Sequence, residues 1–313
     1  MAYYLGLDIG GTKCAASVGE VTGGAVKIVE RFEVATTPSP TATLESLAAA
    51  IEGYQKQYPI LAAGISCGGP LDNQTGEIMT PPNLVGWHHF NIVQYVKQRF
   101  GLTAKLENDA NACALAEWRF GAGMYATNMI FLTFGTGMGA GLILNGKLYS
   151  GTNGNAGEVG HIRLSKRGPI GYGKRGSFEG FCSGGGIARL AEQMLEKEKT
   201  YPDCIQNMQG EITTKKLAQA AFAGDAFAKK VFSKSGDMLG GALATLVDIL
   251  NPEKIVLGGV YMRSAELLIP SMQKRLRKEG LQESLSVCEI VKAKLSENIG
   301  DYAAIAIAME IEI

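Results

Sequence analysis

The chain is 313 residues long, with 30 Lys+Arg balanced by 30 Asp+Glu, 46% hydrophobic and 19% charged residues. That length predicts two domains, each able to bury a core, and the neutral balance excludes the basic excess of a nucleic-acid binder or a polybasic membrane anchor. Glycine is the outlier: there are 41, about 19 more than a ~7% share would supply, without the strict triplet repeat of collagen.

The N-terminal segment MAYYLGLDIGG reaches an aspartate at position 8 with no basic region before it, unlike a signal peptide. Apolar runs such as that around Ala242–Leu250 carry polar breaks and fall short of the ~20 residues that span a bilayer. Six cysteines, at 14, 67, 113, 182, 204 and 288, form no CxxC pair, which fits free thiols better than a disulfide framework. These features predict a cytoplasmic protein without membrane contact.

Along the chain, residues 3–9 (YYLGLDI) predict a buried strand ending on Gly10-Gly11-Thr12. Strands over 14–18 and 26–34 follow, turned by Thr22-Gly23-Gly24. A helix over 43–58 has Leu44, Leu47, Ala48 and Ile51 at helical spacing. A strand over 61–66 runs into Cys67-Gly68-Gly69-Pro70; helix 93–100, strand 103–106 and helix 110–120 come next, the last opened by Asn108-Asp109. The pattern restarts with strand 129–134, a glycine turn, strand 140–144, the hairpin pair Asn145-Gly146 and strand 147–149. Two related halves are therefore expected, each opening on a β meander. Helices over 187–197, 215–222, 225–250 and 265–279, a strand over 254–257 and a closing helix over 302–310 complete the reading.

Three glycine turns lie at strand ends. Gly10, Gly11, Thr12 and Lys13 form one, where backbone N–H groups can approach phosphate oxygens unobstructed by side chains. Asp8, at the end of its strand, can hold Mg²⁺ directly or through water; a plain hairpin turn explains the same residues. Gly135, Thr136 and Gly137 form the second. Their G-x-G-x-x-A spacing fits a loose dinucleotide fingerprint, but that fingerprint must open a helix, and Ala140–Leu144 continues as strand. Gly258 and Gly259 form the third, either a simple strand-to-helix turn or a flat seat for an adenine ring. Together they point to a nucleotide held between two halves.

The segments LGLDIGGTK (5–13), ISCGGP (65–70), PPNLVGW (81–87), ENDANACALAEW (107–118), FGTGMGAGLILNGKLYSGTNGNAGEVGH (134–161) and GSFEGFCSG (176–184) resemble the ROK family (repressors, open reading frames and sugar kinases), in that family's order and through most of the chain. The resemblance implies an α/β protein of two domains with the actin-like ATPase (ribonuclease H-like) fold, mixed β-sheets flanked by helices and an interdomain cleft. A small domain is expected over 1–118 plus 299–313 and a large one over 119–298. The activity implied is an ATP- and Mg²⁺-dependent transfer of the γ-phosphoryl group to a hexose, at the 6-hydroxyl. Glucose is the expected sugar; N-acetylmannosamine, fructose, allose or a β-glucoside are the alternatives, and a homodimer is the expected assembly.

Asn108-Asp109 makes a good helix cap on its own; the resemblance makes Asp109 the catalytic base that takes the proton of the attacking hydroxyl. It also implies sugar contacts from Asn83, Asn108, Glu158, His161 and Glu179 and from the backbone of Gly69, a set that suits hydroxyls needing several convergent partners. His88 and His89 read as loop residues.

The pattern breaks in one place. Many ROK proteins follow the Gly-His pair with C-x-C-G-x-x-G-C-x-E and bind structural zinc through the histidine and three cysteines. Here those cysteine positions hold Ile170, Tyr172 and Ser177, of which Ile170 and Tyr172 cannot replace thiolates on Zn²⁺. No zinc is expected, and apolar packing of Ile170, Tyr172 and Phe178 is expected to shape the loop instead. A rival of another class, a sugar-sensing ROK transcriptional regulator, carries a helix-turn-helix module ahead of the DIGGT strand; the chain begins close to that strand and has no basic excess, so nucleic acid is not an expected partner.

Overall fold

A computed structural model describes residues 1–206, 208, 210–295 and 299–312. The elements are, in chain order, β1 (Ala2–Ile9), β2 (Lys13–Thr22), β3 (Ala25–Ala35), α1 (Pro40–Gln57), β4 (Ile60–Cys67), β5 (Leu71–Asp72), β6 (Glu77–Ile78), β7 (Phe90–Asn91), α2 (Ile92–Phe100), β8 (Ala104–Asn108) and α3 (Asp109–Phe120). After these come β9 (Met129–Phe134), β10 (Met138–Leu144), β11 (Lys147–Leu148), a 3₁₀ turn (Val159–His161), β12 (Ile170–Gly171), β13 (Lys174–Arg175), α4 (Phe178–Cys182) and α5 (Gly184–Leu195). The remainder is α6 (Asp203–Gln206), α7 (Thr214–Phe222), α8 (Ala226–Leu250), β14 (Lys254–Leu257), α9 (Val260–Glu279), α10 (Gln282–Leu285), β15 (Glu289–Lys292) and α11 (Ile299–Ala308).

The first sheet has the order β3-β2-β1-β4-β8. β1, β2 and β3 form an antiparallel meander, while β1, β4 and β8 run parallel. Parallel strands are covered on both faces, which is why β1 and β4 are nearly continuous apolar runs. Leu44, Leu47 and Ile51 of α1 join Leu5, Leu7 and Ile65 in one buried core; Ser39 caps that helix and Pro40 opens it. α11 lies against the same sheet at Gly64, where any side chain would run into the Ala304 carbonyl.

The second sheet has the order β11-β10-β9-β14-β15. β9, β14 and β15 are parallel, and β10 and β11 close an antiparallel hairpin. Counted from each start, both sheets place their strands as third, second, first, fourth, fifth, in line with two halves sharing one opening. The Asn145-Gly146 hairpin has φ +54° and +70° at its two corners, the left-handed pair a tight hairpin needs. α9 begins five residues before the predicted helix start: Gly259 at φ +62° turns β14 directly into helix.

The chain divides into two compact units, one of Met1–Ala126, Gly141–Ala156 and Lys294–Ile313, the other of Thr127–Ala140 and Gly157–Ala293. The domain boundary expected at 298/299 falls at residues 296–298, which lie outside the described residues, as does Ile313. Among the described residues no helix is long and apolar enough to cross a membrane.

Candidate active site

In the first unit, Asp8 sits one residue from the end of β1, followed by the turn Gly10–Lys13. The Gly10 N–H donates to the Lys13 carbonyl at 3.1 Å, and the Thr36 hydroxyl donates to the Gly10 carbonyl at 2.6 Å. Gly11 lies against the backbone of Asn83 with no room for a side chain, so the turn and the loop carrying Asn83 meet. Lys13 pairs with Glu33 at 2.9 Å, and Arg31 joins Glu33 (2.7 Å) to Asp301 (2.9 Å). Burial, then the nearby carboxylates of Asp301 and Asp109, push the Asp8 carboxyl up to about 6, against the pull of Arg31 and Lys13. Gly300 backs onto that carboxylate, where a side chain would collide with it.

β8 ends at Asn108, whose Oδ1 caps α3 by accepting the Ala110 N–H at 3.0 Å. Asp109 is the first residue of the helix, exposed at the surface, and its Oδ1 accepts the same N–H at 2.8 Å. Desolvation raises its carboxyl, although the N–H groups of Ala110 and of Asp109 itself pull the other way. Gly68 and Gly69 border the pair: a side chain on Gly68 would sit 3.8 Å from Asp109 Oδ2, and one on Gly69 would sit 3.3 Å from Asn108 Nδ2. Gly69, Asn108 and Asp109 are thus brought together around a space left by two absent side chains. An accessible carboxylate held above its usual range is suited to accepting a proton.

Behind this pair stand residues that sequence reasoning did not single out. Glu107 is buried, and its Oε1 accepts from the Asn108 N–H and from Asn111 Nδ2, each at 3.0 Å. Its Oε2 accepts from Asn73 Nδ2 at 3.2 Å. Glu107 lies inside the ENDANA segment, but its partner Asn73 is 34 residues away in the chain, so its supporting role carries no local signal. Asp301 and Arg31 had no sequence signal at all, being 270 residues apart.

In the second unit the two remaining glycine turns meet. Gly258 donates to the Leu132 carbonyl at 2.8 Å, and Gly259 is pressed against Phe134, the residue just before Gly135. The N–H groups of Gly184 and Gly185, opening α5, donate to the carbonyls of Gly135 (2.8 Å) and Thr136 (3.2 Å). Glu179 joins this cluster: its Oε2 accepts the Met138 N–H at 3.1 Å and lies 3.0 Å from where a Gly137 side chain would be. Ser177 caps the short helix carrying Glu179, its Oγ accepting from the Gly180 N–H at 3.1 Å.

Glu158 precedes the 3₁₀ turn and His161 ends it, with the His161 N–H donating to the Glu158 carbonyl at 3.2 Å. Between them, Gly160 packs on Met138 and comes within 3.5 Å of Glu179 Cβ, measured from where its own Cβ would be. Glu158, His161 and Glu179 are therefore gathered within one unit, while Gly69, Asn83, Asn108 and Asp109 belong to the other.

The expected apolar packing of the following loop needs correction. Phe178 is buried, edge-on to Phe134, but Ile170 is 43% and Tyr172 78% exposed. Hydrogen bonds hold the loop instead: Phe178 N–H to the Ile162 carbonyl (2.8 Å), Leu164 N–H to the Gly176 carbonyl (2.9 Å) and Gly176 N–H to the Pro169 carbonyl (2.8 Å). A tight two-residue hairpin at Tyr172-Gly173 (φ +43° and +72°) turns the apolar side chains outward. Among the described residues, no three His, Cys, Asp or Glu side chains are grouped to hold a metal ion.

Residues 4–311 match the ROK family. The chain belongs to this family. It is 32% identical to a glucokinase of Halalkalibacterium halodurans over 308 residues, 95% of this chain and 92% of that one. Among solved structures it is similar to a ROK family glucokinase from Streptomyces griseus in complex with glucose and AMPPNP (31% identity, TM-score 0.76, 99% of this chain and 100% of that one). It is also similar to a ROK hexokinase from Thermus thermophilus (29% identity, TM-score 0.81, 98% of each chain). The mixed sheets flanked by helices are those of ROK kinases, with the actin-like ATPase fold.

Proposed function

We propose that this ROK protein is an ATP-dependent glucose kinase that transfers the γ-phosphoryl group to the 6-hydroxyl. The observation that carries the reading is Asp109: an accessible carboxyl, raised by desolvation, beside Asn108 and a Gly68-Gly69 pair that leaves space before it. The 6-hydroxyl oxygen attacks the γ-phosphorus, its proton passes to the Asp109 carboxylate, and the bond to the bridging oxygen of ADP breaks. Asn83, Asn108, Glu158, His161, Glu179 and the Gly69 backbone hold the sugar hydroxyls. Gly10, Gly11, Thr12, Lys13, Gly135, Thr136, Gly137, Gly258 and Gly259 hold the nucleotide. Glucose is favoured over N-acetylmannosamine, fructose, allose or a β-glucoside because the similar Halalkalibacterium and Streptomyces proteins are glucokinases.

Mg²⁺ accepts oxygen ligands and keeps several waters, so one carboxylate beside the phosphates suffices. Asp8 fits that role: its carboxylate has a concentration of negative charge around it and, in Gly300, a neighbour without a side chain. Magnesium there would neutralise charge on the transferring phosphates. Zinc is not expected, since Ile170, Tyr172 and Ser177 stand where thiolates would be needed. We further infer a cytoplasmic homodimer with no nucleic-acid partner.

The test is release of ADP from Mg·ATP across glucose, N-acetylmannosamine, fructose, allose and a β-glucoside. Fastest turnover is expected with glucose, yielding glucose 6-phosphate. A different preferred sugar overturns the specificity, and turnover of none overturns the kinase reading.

A further inference from the structure

Loop 162–178 poses a mechanical question: His161 is exposed, so packing does not orient its ring. The hairpin of β12 and β13 answers it. Gly171 pairs with Lys174 across the Tyr172-Gly173 turn, and Lys174 is thereby aimed back at the 3₁₀ turn. Its ammonium donates to the His161 carbonyl at 2.8 Å and approaches His161 Nδ1 at 3.4 Å. The Tyr172 ring stands edge-on to the imidazole, 6.3 Å between centroids at 76°. The hairpin is itself fixed to the helix bearing Glu179: Gly171 abuts the Gly180 N–H with no space for a side chain, and Ser177 Oγ donates to the Gly171 carbonyl at 3.3 Å. Among the described residues no carboxylate forms an ion pair with Lys174, so its charge is directed at His161.

We propose that Lys174 is the positioning residue for His161, holding the ring with Nδ1 as acceptor and Nε2–H as donor to a sugar hydroxyl. The proposal rests on the sugar-kinase reading for its functional part. The tautomer follows from donor chemistry: an ammonium has three donors and no acceptor, so the imidazole nitrogen facing it must accept and the other must carry the proton. The same geometry does not fit zinc. A positive ammonium stands beside the imidazole nitrogen on that side, Ser177 Oγ is engaged in two hydrogen bonds, and Ile170 has no ligand atom. Lys174 thus supplies by hydrogen bonding the restraint that a metal and three thiolates could otherwise supply.

The experiment uses the full chain. In ¹⁵N-histidine spectra of the unsubstituted protein, the signal missing from His161→Gln is expected to report a single Nε2–H tautomer; an equal mixture or the Nδ1–H form overturns the proposal. Lys174→Met is expected to mix the tautomers and to raise KM for glucose about tenfold, the scale of one lost charge-assisted hydrogen bond, with KM for ATP within twofold. Lys174→Arg, which keeps the donor, is expected to recover most of that loss. Unchanged KM and tautomer in Lys174→Met overturn the proposal, as does zinc bound stoichiometrically and lost in His161→Gln. Failure of the unsubstituted protein to phosphorylate any sugar would instead strike the kinase reading, and the tautomer measurement would still report on Lys174 and His161.

Discussion

Asn73 donates through Nδ2 to Glu107 Oε2 at 3.2 Å, tying the β5–β6 hairpin that follows Gly69-Pro70 to the strand end that carries Asn108 and Asp109. Glu107→Ala would leave the Asn108 N–H and two side-chain amides without their acceptor in a buried setting. A loss of about 2–4 kcal/mol in urea unfolding is expected, on the scale of unsatisfied buried partners of a charged group. Glu107→Gln should cost clearly less, because its amide oxygen can keep Asn108 and Asn111 while the Asn73 amide turns over to accept from its nitrogen. Equal destabilisation by the two substitutions would show that charge, not the hydrogen-bond pattern, matters here.

Asp109→Asn separates the chemical role of this residue from its structural one. The helix cap belongs to Asn108, so the unfolding free energy should change by less than about 1 kcal/mol. The amide cannot take a proton, and kcat is expected to fall at least ~100-fold, the lower range for removing a general base, with KM for ATP little changed. A variant that retains most of its kcat would remove Asp109 from the chemistry.

How much of this was legible in the sequence depends on the range of the interaction. The end of β1 just past Asp8 and the opening of α3 at Asn108-Asp109 could be read because one apolar run stops on glycine and the other is followed by a capping residue, both local signals, although β8 runs two residues past the predicted end at 106. The five-residue α4 and the two-residue strands β5, β6, β7, β12 and β13 are too short for periodicity to register. β15 is only half-buried and lacks a continuous apolar run. The seat of α11 on Gly64 joins residues 240 positions apart in the chain and left no mark near either. Ile170 and Tyr172 show the opposite error: apolar composition suggested burial, but the left-handed corner at Tyr172-Gly173 decides which way the side chains face.

Asp8 gives a prediction whose sign runs against the usual carboxylate. Its folded-state value of about 6 lies above the ordinary 3.8, so the folded protein holds this proton more tightly than the unfolded chain does. The group costs nothing below about pH 4, opposes folding increasingly between about 4 and 6, and opposes it fully above. With a chelator present, Asp8→Asn should therefore stabilise the protein at pH 7.5 by up to about 3 kcal/mol, from roughly two pKa units at 1.36 kcal/mol each, and leave it unchanged near pH 3.5. Destabilisation by Asp8→Asn at pH 7.5 would mean that Arg31 and Lys13 outweigh burial and the neighbouring carboxylates.

Glu117 is fully buried, and its carboxylate is satisfied by backbone N–H groups: Lys294 at 2.9 Å, Leu295 at 2.8 Å and Ala122 at 2.7 Å. These are the stretches just before the chain leaves the first unit after Ala126 and just after it re-enters at Lys294. One side chain therefore anchors two distant segments, and Gly121 must lack a side chain because one would collide with the same carboxylate. Glu117→Ala would orphan three N–H groups and open a cavity, so a loss of about 3–5 kcal/mol is expected. Because the Lys294 N–H loses its acceptor, local opening there should become more frequent. Limited trypsin digestion should cut after Lys294 well before the rest of the chain in Glu117→Ala, and no earlier than other sites in the unsubstituted protein. If both proteins are cut there at the same rate, Glu117 is not what fastens the returning chain.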